Sequence, residues 1–158
     1  MKIAIVTGAS SGMGREFVRQ LGYFYKNLDE IWVIARRKER LEALAKESRV
    51  PLRIFAGDLQ KKKVYKELRD ALEKLQLNDA ALQFEKEQPD LRMLVNSAGF
   101  GKSGSVEEIL SEKFRIQTDM VDVNCRSLTR MTLLCLPFLH AGSRIINLAS
   151  ASAFCPQP

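Results

Sequence analysis

The stretch TGASSGMG (Thr7–Gly14) sets Gly8, Gly12 and Gly14 between an apolar, β-branched run and an amphipathic run of helix length. Glycine in such a turn lets the backbone bend tightly and come close to a pyrophosphate, where a Cβ would intervene. The start of the following helix adds unpaired amides and the positive end of its dipole, and Ser10 and Ser11 add hydroxyl donors. The candidate phosphate-holding residues are therefore Gly8, Ser10, Ser11, Gly12, Met13 and Gly14. The spacing is not GxGxxG and lacks the Lys-Ser/Thr ending of a P-loop; its place at the opening of an alternating chain makes it a dinucleotide signal. Near the other end, SRIINLAS (Ser143–Ser150) has the pattern of a buried strand delivering a serine to an active site.

These residues act together only if one scaffold carries them. Strand-like runs at Lys2–Thr7, Glu30–Ala35, Leu52–Gly57, Leu91–Gly99 and Ser143–Ser150 alternate with amphipathic segments. The first of those, Gly14–Tyr25, repeats Phe17, Leu21 and Phe24 at helical spacing; Lys38–Glu47 sets Leu41, Leu44 and Ala45 on one face. A long helical region follows over Gln60–Glu87, with a break predicted near Asn78–Asp79, and Pro89–Asp90 introduces the fourth strand. Ser105–Glu108 has the form of a capping box that opens a short helix, and a longer helix is predicted over Glu112–Leu139. Near-continuous apolar strands alternating with helices imply an α/β fold, a doubly wound parallel sheet of Rossmann type, in one domain over residues 1–158.

Composition narrows the function classes. No apolar run approaches the roughly 20 residues of a membrane span, and the start lacks the long apolar stretch of a signal peptide. Cys125, Cys135 and Cys155 are an odd set without CxxC spacing, which predicts reduced thiols, no metal site and a cytoplasmic location. The net charge of +6 is spread over amphipathic segments, with one local run at Lys61–Lys63, so nucleic acid is not the expected partner. Lone His140, in a helix-to-strand loop, is expected to face solvent.

Five ordered motifs resemble the short-chain dehydrogenase/reductase family over the whole chain. TGASSGMG is similar to its TGxxxGxG loop, GDL (Gly57–Leu59) to its acidic motif after the third strand, and NSAG (Asn96–Gly99) to its NNAG motif. VNCRS (Val123–Ser127) resembles the segment with its active-site Asn, and IINLAS the strand ending in its active-site Ser. The resemblance implies that Asp58 accepts a hydrogen bond from the adenine amino group beside the Leu59 amide, although Asp58 also suits a helix cap. It implies that Asn96, Ala98 and Gly99 line the nucleotide site, with Asn96 also able to tie neighbouring strands. An NAD-preferring site carries an acidic residue after the second strand, to hold the ribose 2′-hydroxyl. Ala35, Arg36 and Arg37 occupy that place, and a guanidinium fork suits a 2′-phosphate, so NADP(H) is expected over NAD.

The implied reaction is hydride transfer between a nicotinamide and a small alcohol or carbonyl substrate. Ser150 would donate to the substrate oxygen as charge develops, and Asn124 would hold a water in a proton relay. The family's proton donor is a Tyr in a YxxxK motif about a dozen residues after the serine. Pro158 ends the sequence before it, and Tyr23, Tyr25 and Tyr65 are not followed by Lys four positions later. The expectation is thus the amino-terminal portion of a homo-oligomeric reductase; the alternative is a dinucleotide-binding module without catalysis. Retained Ser150 and Asn124 favour the first. On that reading, apolar surface on the long helix and the fifth-strand edge should be exposed.

Overall fold

The computed structural model describes residues 1–81, 90–102, 104–112 and 114–155. Five strands, β1 (Lys2–Thr7), β2 (Glu30–Ala35), β3 (Leu52–Ala56), β4 (Asp90–Asn96) and β5 (Leu139–Asn147), form one sheet in the order β3-β2-β1-β4-β5. Every pairing is parallel. The order reverses direction at β1, so β1 and β4 diverge from a switch point, where the loops after these strands leave a crevice. This is the doubly wound sheet that the alternating pattern predicts.

β1, β2 and β4 read as apolar runs because both faces are covered, whereas β5, expected as a buried strand, has no fully buried residue because it lies at the sheet edge. On one face Ile3, Ile5, Trp32, Leu94 and Met131 join α3 (Lys62–Ala81) and α6 (Leu128–Cys135) through Leu68, Leu72 and Cys135. On the other, Ala4, Val6, Val33 and Val95 meet α1 (Gly12–Phe24) and α2 (Lys38–Glu47) through Val18, Leu21, Leu41 and Leu44. Alternate residues of one strand serve opposite cores. An exposed ion pair between Arg19 and Glu47, 2.6 Å long, ties α1 to α2 and holds the Glu47 carboxyl below its usual range.

Several expectations need correction. Phe24 is exposed, and Val18 instead shares the inner face of α1 with Leu21. The helix α3 runs through Asn78–Asp79 without a break to Ala81; residues 82–87 and Pro89 lie outside the described residues. The short helix expected after Ser105 is α4 (Val106–Glu112), while the region expected as one long helix is divided into α5 (Phe114–Val121), a π-helical segment Asp122–Ser127, α6 and a 3₁₀ turn Leu136–Phe138. The Ser127 hydroxyl donates back to the Asp122 carbonyl at 2.9 Å, five residues earlier, which matches the wider π turn. Pro137, without an amide hydrogen, closes the helical path in the 3₁₀ turn.

The strand β5 begins earlier than its apolar pattern, at Leu139, and includes His140, which is exposed. Its register jumps from Leu91↔Leu139 to Met93↔Arg144, so the intervening residues bulge, with Gly142 at φ 88°. The serine half of the expected capping box is present at Ser105, whose hydroxyl accepts the Glu108 amide at 3.2 Å. The expected apolar exposure is also present: Val121, Leu133, Leu136 and Ile145 are all exposed. No helix among the described residues is long and apolar enough to cross a membrane.

The three cysteines are free thiols; Cys125 and Cys155 are exposed, while burial pushes the Cys135 thiol up to about 12. A folded-state value above the ordinary thiol range keeps Cys135 protonated where the unfolded chain ionises. Its contribution to stability is thus full below about pH 8.5 and is lost as pH rises towards 12. A thiol reagent at pH 8 should therefore label two cysteines quickly and the third only after denaturation. Three fast thiols in the native protein would contradict the packing of α6.

Candidate functional site

A cavity of about 280 Å³ opens at the carboxyl ends of β1, β2, β3 and β4. The turn after β1 forms its floor, and each glycine there has its own reason. Gly8 has φ 71°, and a Cβ on it would lie 2.7 Å from the Ser97 carbonyl oxygen and 2.8 Å from the Ala98 amide. A Cβ on Gly14 would lie 2.5 Å from the Gly8 carbonyl oxygen, so α1 can approach its own turn only there. Gly12 has φ 55°, and a Cβ on it would meet nothing within 4 Å, which leaves the backbone open on the side where a ligand would sit.

Thr7 locks this turn to the next strand of the crevice. Its buried hydroxyl accepts the Ser97 and Ala98 amides at 3.1 and 3.0 Å and donates to the Val95 carbonyl at 3.4 Å. The first residue of the TGxxxGxG match carries no role in the reading of the sequence. A buried threonine at a strand end beside a glycine was the available signal, but its partners lie about ninety residues away.

Arg37 reaches across from the start of α2 and donates through Nη2 to the Ser10 and Ser11 hydroxyls at 3.1 and 2.8 Å. Ser11 is the N-cap residue of α1, yet its side chain does not cap the helix. The early amides of α1 are consequently left for an anion. Arg36 and Arg37 both line the cavity, and Arg36 has no hydrogen-bond or ion-pair partner among the described residues. Arg37 thus organises the loop, while Arg36 remains available.

Asp58 and Leu59 line the same cavity, as do Met13, Ala98 and Gly99. The Asp58 carboxylate accepts the Gln60 amide at 3.0 Å within the loop before α3, so the residue shapes a turn and does not cap the helix, and it still faces the cavity. Leu59 is buried, and its carbonyl accepts the Tyr65 hydroxyl at 2.7 Å and lies 3.1 Å from the Ser127 hydroxyl, whose one hydrogen it shares with the Asp122 carbonyl. Asn96 does not line the cavity. It is buried beneath it, donating to the Thr132 hydroxyl at 3.1 Å and the Asn147 side-chain oxygen at 2.9 Å, and so ties β4 to β5 and α6.

Asn124 lies in the π-helical segment and grips one residue at both ends. Its oxygen accepts the Phe100 amide at 3.0 Å and its nitrogen donates to the Phe100 carbonyl at 2.8 Å. Ser150 lies three residues beyond β5, where its hydroxyl accepts the Ser152 amide at 3.2 Å and caps the turn Ala151–Ala153. Both are exposed and neither lines the cavity. Burial raises the Tyr65 hydroxyl above its ordinary range, while Tyr23 and Tyr25 sit at the far end of α1. No metal-holding group of acidic, His or Cys side chains occurs among the described residues.

The donor set fits the phosphates of a dinucleotide: an uncapped helix start, two hydroxyls, an open glycine and an unpaired guanidinium. Comparison with known proteins agrees. A family model described as short chain dehydrogenase matches residues 2–158. An uncharacterized oxidoreductase of Staphylococcus epidermidis is 27% identical over 157 residues, covering 98% of this chain and 60% of that protein. A very-long-chain 3-oxoacyl-CoA reductase-A of Danio rerio is 30% identical over 166 residues, covering 99% of this chain and 46% of the relative. The solved short-chain dehydrogenase from Sphingobium yanoikuyae, in complex with NADPH, superposes with a TM-score of 0.72 at 25% identity, covering 99% of this chain and 56% of that one. The chain thus spans about half to three-fifths of the length of these proteins.

The two glycines predict different failures. Gly12→Ala should lower stability by about 1 kcal/mol, from the left-handed backbone alone. Gly14→Ala meets backbone that cannot give way and should lose more, read as a larger drop in urea midpoint. Equal losses would contradict the packing of α1 on its turn.

Proposed function

The chain belongs to the short-chain dehydrogenase family, and on that premise we propose that the protein is an NADP(H)-dependent oxidoreductase interconverting a small alcohol and its carbonyl compound. The observation that carries the coenzyme choice is the charge at the end of β2. Ala35 stands where a carboxylate would hold a ribose 2′-hydroxyl, and Arg36 and Arg37 follow it at the cavity rim. Arg37 is engaged with the loop serines, which leaves the Arg36 fork for a 2′-phosphate. The NADPH bound to the Sphingobium relative supports the same choice.

In this reading Gly8, Ser10, Ser11, Gly12, Met13 and Gly14 hold the pyrophosphate, with Gly14 acting through the close seat of α1. Asp58 and Leu59 take the adenine, and Ala98 and Gly99 present backbone to the ribose and nicotinamide side, with Asn96 supporting them from below. The coenzyme, when bound, supplies or accepts the hydride. Ser150 donates a hydrogen bond to the substrate oxygen, which gains negative charge during reduction. Asn124 fixes Phe100 and the loop after β4 and, from a π-helical turn, serves the water of the proton path. The exposed apolar side chains of α5 and α6, Val121 and Leu133 among them, suit a contact between subunits. A binding module without catalysis is the less favoured reading, because Ser150 and Asn124 stand at the same carboxyl end of the sheet as the cavity.

Dinucleotide titration tests the proposal. NADPH should bind more tightly than NADH, and Arg36→Ala should weaken NADPH by about ten- to a hundredfold while changing NADH little, as expected for loss of a charged hydrogen bond. Tighter NADH binding, or an unchanged NADPH affinity in the variant, would refute it.

A further inference from the structure

Ser127 takes no part in the proposed chemistry, yet it is a polar residue only 2% exposed at the close of the π-helical segment. We propose that Ser127 is a positioning residue: it seats the turn that carries Asn124 on the loop that carries Asp58 and Leu59, so that the two ends of the cavity act as one unit. The coenzyme reading enters only as what fills that cavity.

Two hydroxyls approach one carbonyl at this point. The Leu59 oxygen has two lone pairs; Tyr65, from α3, donates to it at 2.7 Å, and the Ser127 hydroxyl lies 3.1 Å away. Ser127 has one hydrogen and a second acceptor, the Asp122 carbonyl at 2.9 Å. The bond to Asp122 closes the wide turn, and the bond to Leu59 ties that turn to the loop. Arg130, three residues further along the helix, sets its guanidinium 5.8 Å from the Tyr65 ring centroid and adds a second contact between the same two elements. Beneath them α3 and α6 share one core through Leu68, Leu72, Met131 and Cys135. The join is internal, made by elements already packed together, and it draws on no exposed side chain.

Both sides of the join reach the cavity. Asp58 and Leu59 line it on the loop side, and Val123 lines it on the helix side, one residue before Asn124. Asn124 holds Phe100, another lining residue, through both ends of its amide. Residues three apart share a face in an α-helix, whereas the wider π turn swings them apart. Ser127 therefore meets the Leu59 loop while Asn124 meets the Phe100 loop, and one turn of helix bridges them. Ser127→Ala would break the bridge without orphaning the buried carbonyl, because Tyr65 still donates to Leu59.

The amide spectrum of the unliganded chain tests the proposal. Ser127→Ala should shift the Asn124 side-chain amide and speed hydrogen exchange at the Phe100 amide about fivefold or more. The Ser97 and Ala98 amides, held by Thr7, should keep their rates. Tyr65→Phe removes the other donor to Leu59 and should leave Asn124 and Phe100 unmoved. In the wild-type chain adenosine 2′,5′-bisphosphate, confined to the adenine side, should move the Asn124 side-chain amide, although Asn124 does not line the cavity. Ser127→Ala should abolish that movement while the bisphosphate still binds. Unmoved Asn124 and Phe100 signals in Ser127→Ala, equal changes in Tyr65→Phe, or a bound bisphosphate that leaves wild-type Asn124 unmoved would each overturn the proposal. A bisphosphate that does not bind would refute the coenzyme reading instead, and the unliganded comparison then decides the role of Ser127 by itself.

Discussion

The close seat of Gly8 on the backbone after β4 is the constraint on which the site depends. No side chain fits between the turn and the Ser97–Ala98 peptide, and the Thr7 hydroxyl fastens the two together. The contact spreads across the sheet. The Gly8 amide donates to the Ile34 carbonyl at 2.8 Å, the Gly57 amide to Ala35 at 3.0 Å, and the Leu148 amide to Asn96 at 3.0 Å. The carboxyl ends of all five strands are thereby stitched edge to edge, and the loops leaving them share one rim. A turn that moved by about one ångström would move the whole phosphate floor, so the geometry is set by backbone contact and only trimmed by side chains.

Electrostatics then divides the labour between two neighbouring arginines. Arg37 commits one terminal nitrogen, Nη2, to the Ser10 and Ser11 hydroxyls, and the N-cap hydroxyl of α1 makes no bond to the helix amides. Arg36 has no such engagement. Together they explain how a basic rim can hold its loop in shape and still present an unpaired cation.

Much of the fold was legible in the residues, because both faces of β1, β2 and β4 are covered and these strands carry the near-continuous apolar runs that such burial demands. The phosphate turn was legible for a related reason: Gly8, Gly12 and Gly14 occupy positions where another residue would clash or strain. The π-helical segment at Asp122–Ser127 was not, since it coincides with a tertiary contact that local spacing does not show, the Ser127 hydroxyl 3.1 Å from the Leu59 carbonyl of a distant loop. Amphipathic spacing alone read that region as one helix. The start of β5 was missed because His140–Ser143 bulge out of register, so alternation fails where pairing continues. The division between Arg36 and Arg37 also could not be read, since adjacent residues of one type differ only in what they reach.

The most direct test of the account is the amide spectrum of the protein as NADPH is added. Binding at the turn predicts the largest shifts at Gly12, Met13 and Gly14, with smaller ones at Ala98 and Gly99 and none at Tyr25 or Gly142. A complex that forms while the Gly12–Gly14 amides stay unmoved would contradict the claim that this turn is the phosphate seat.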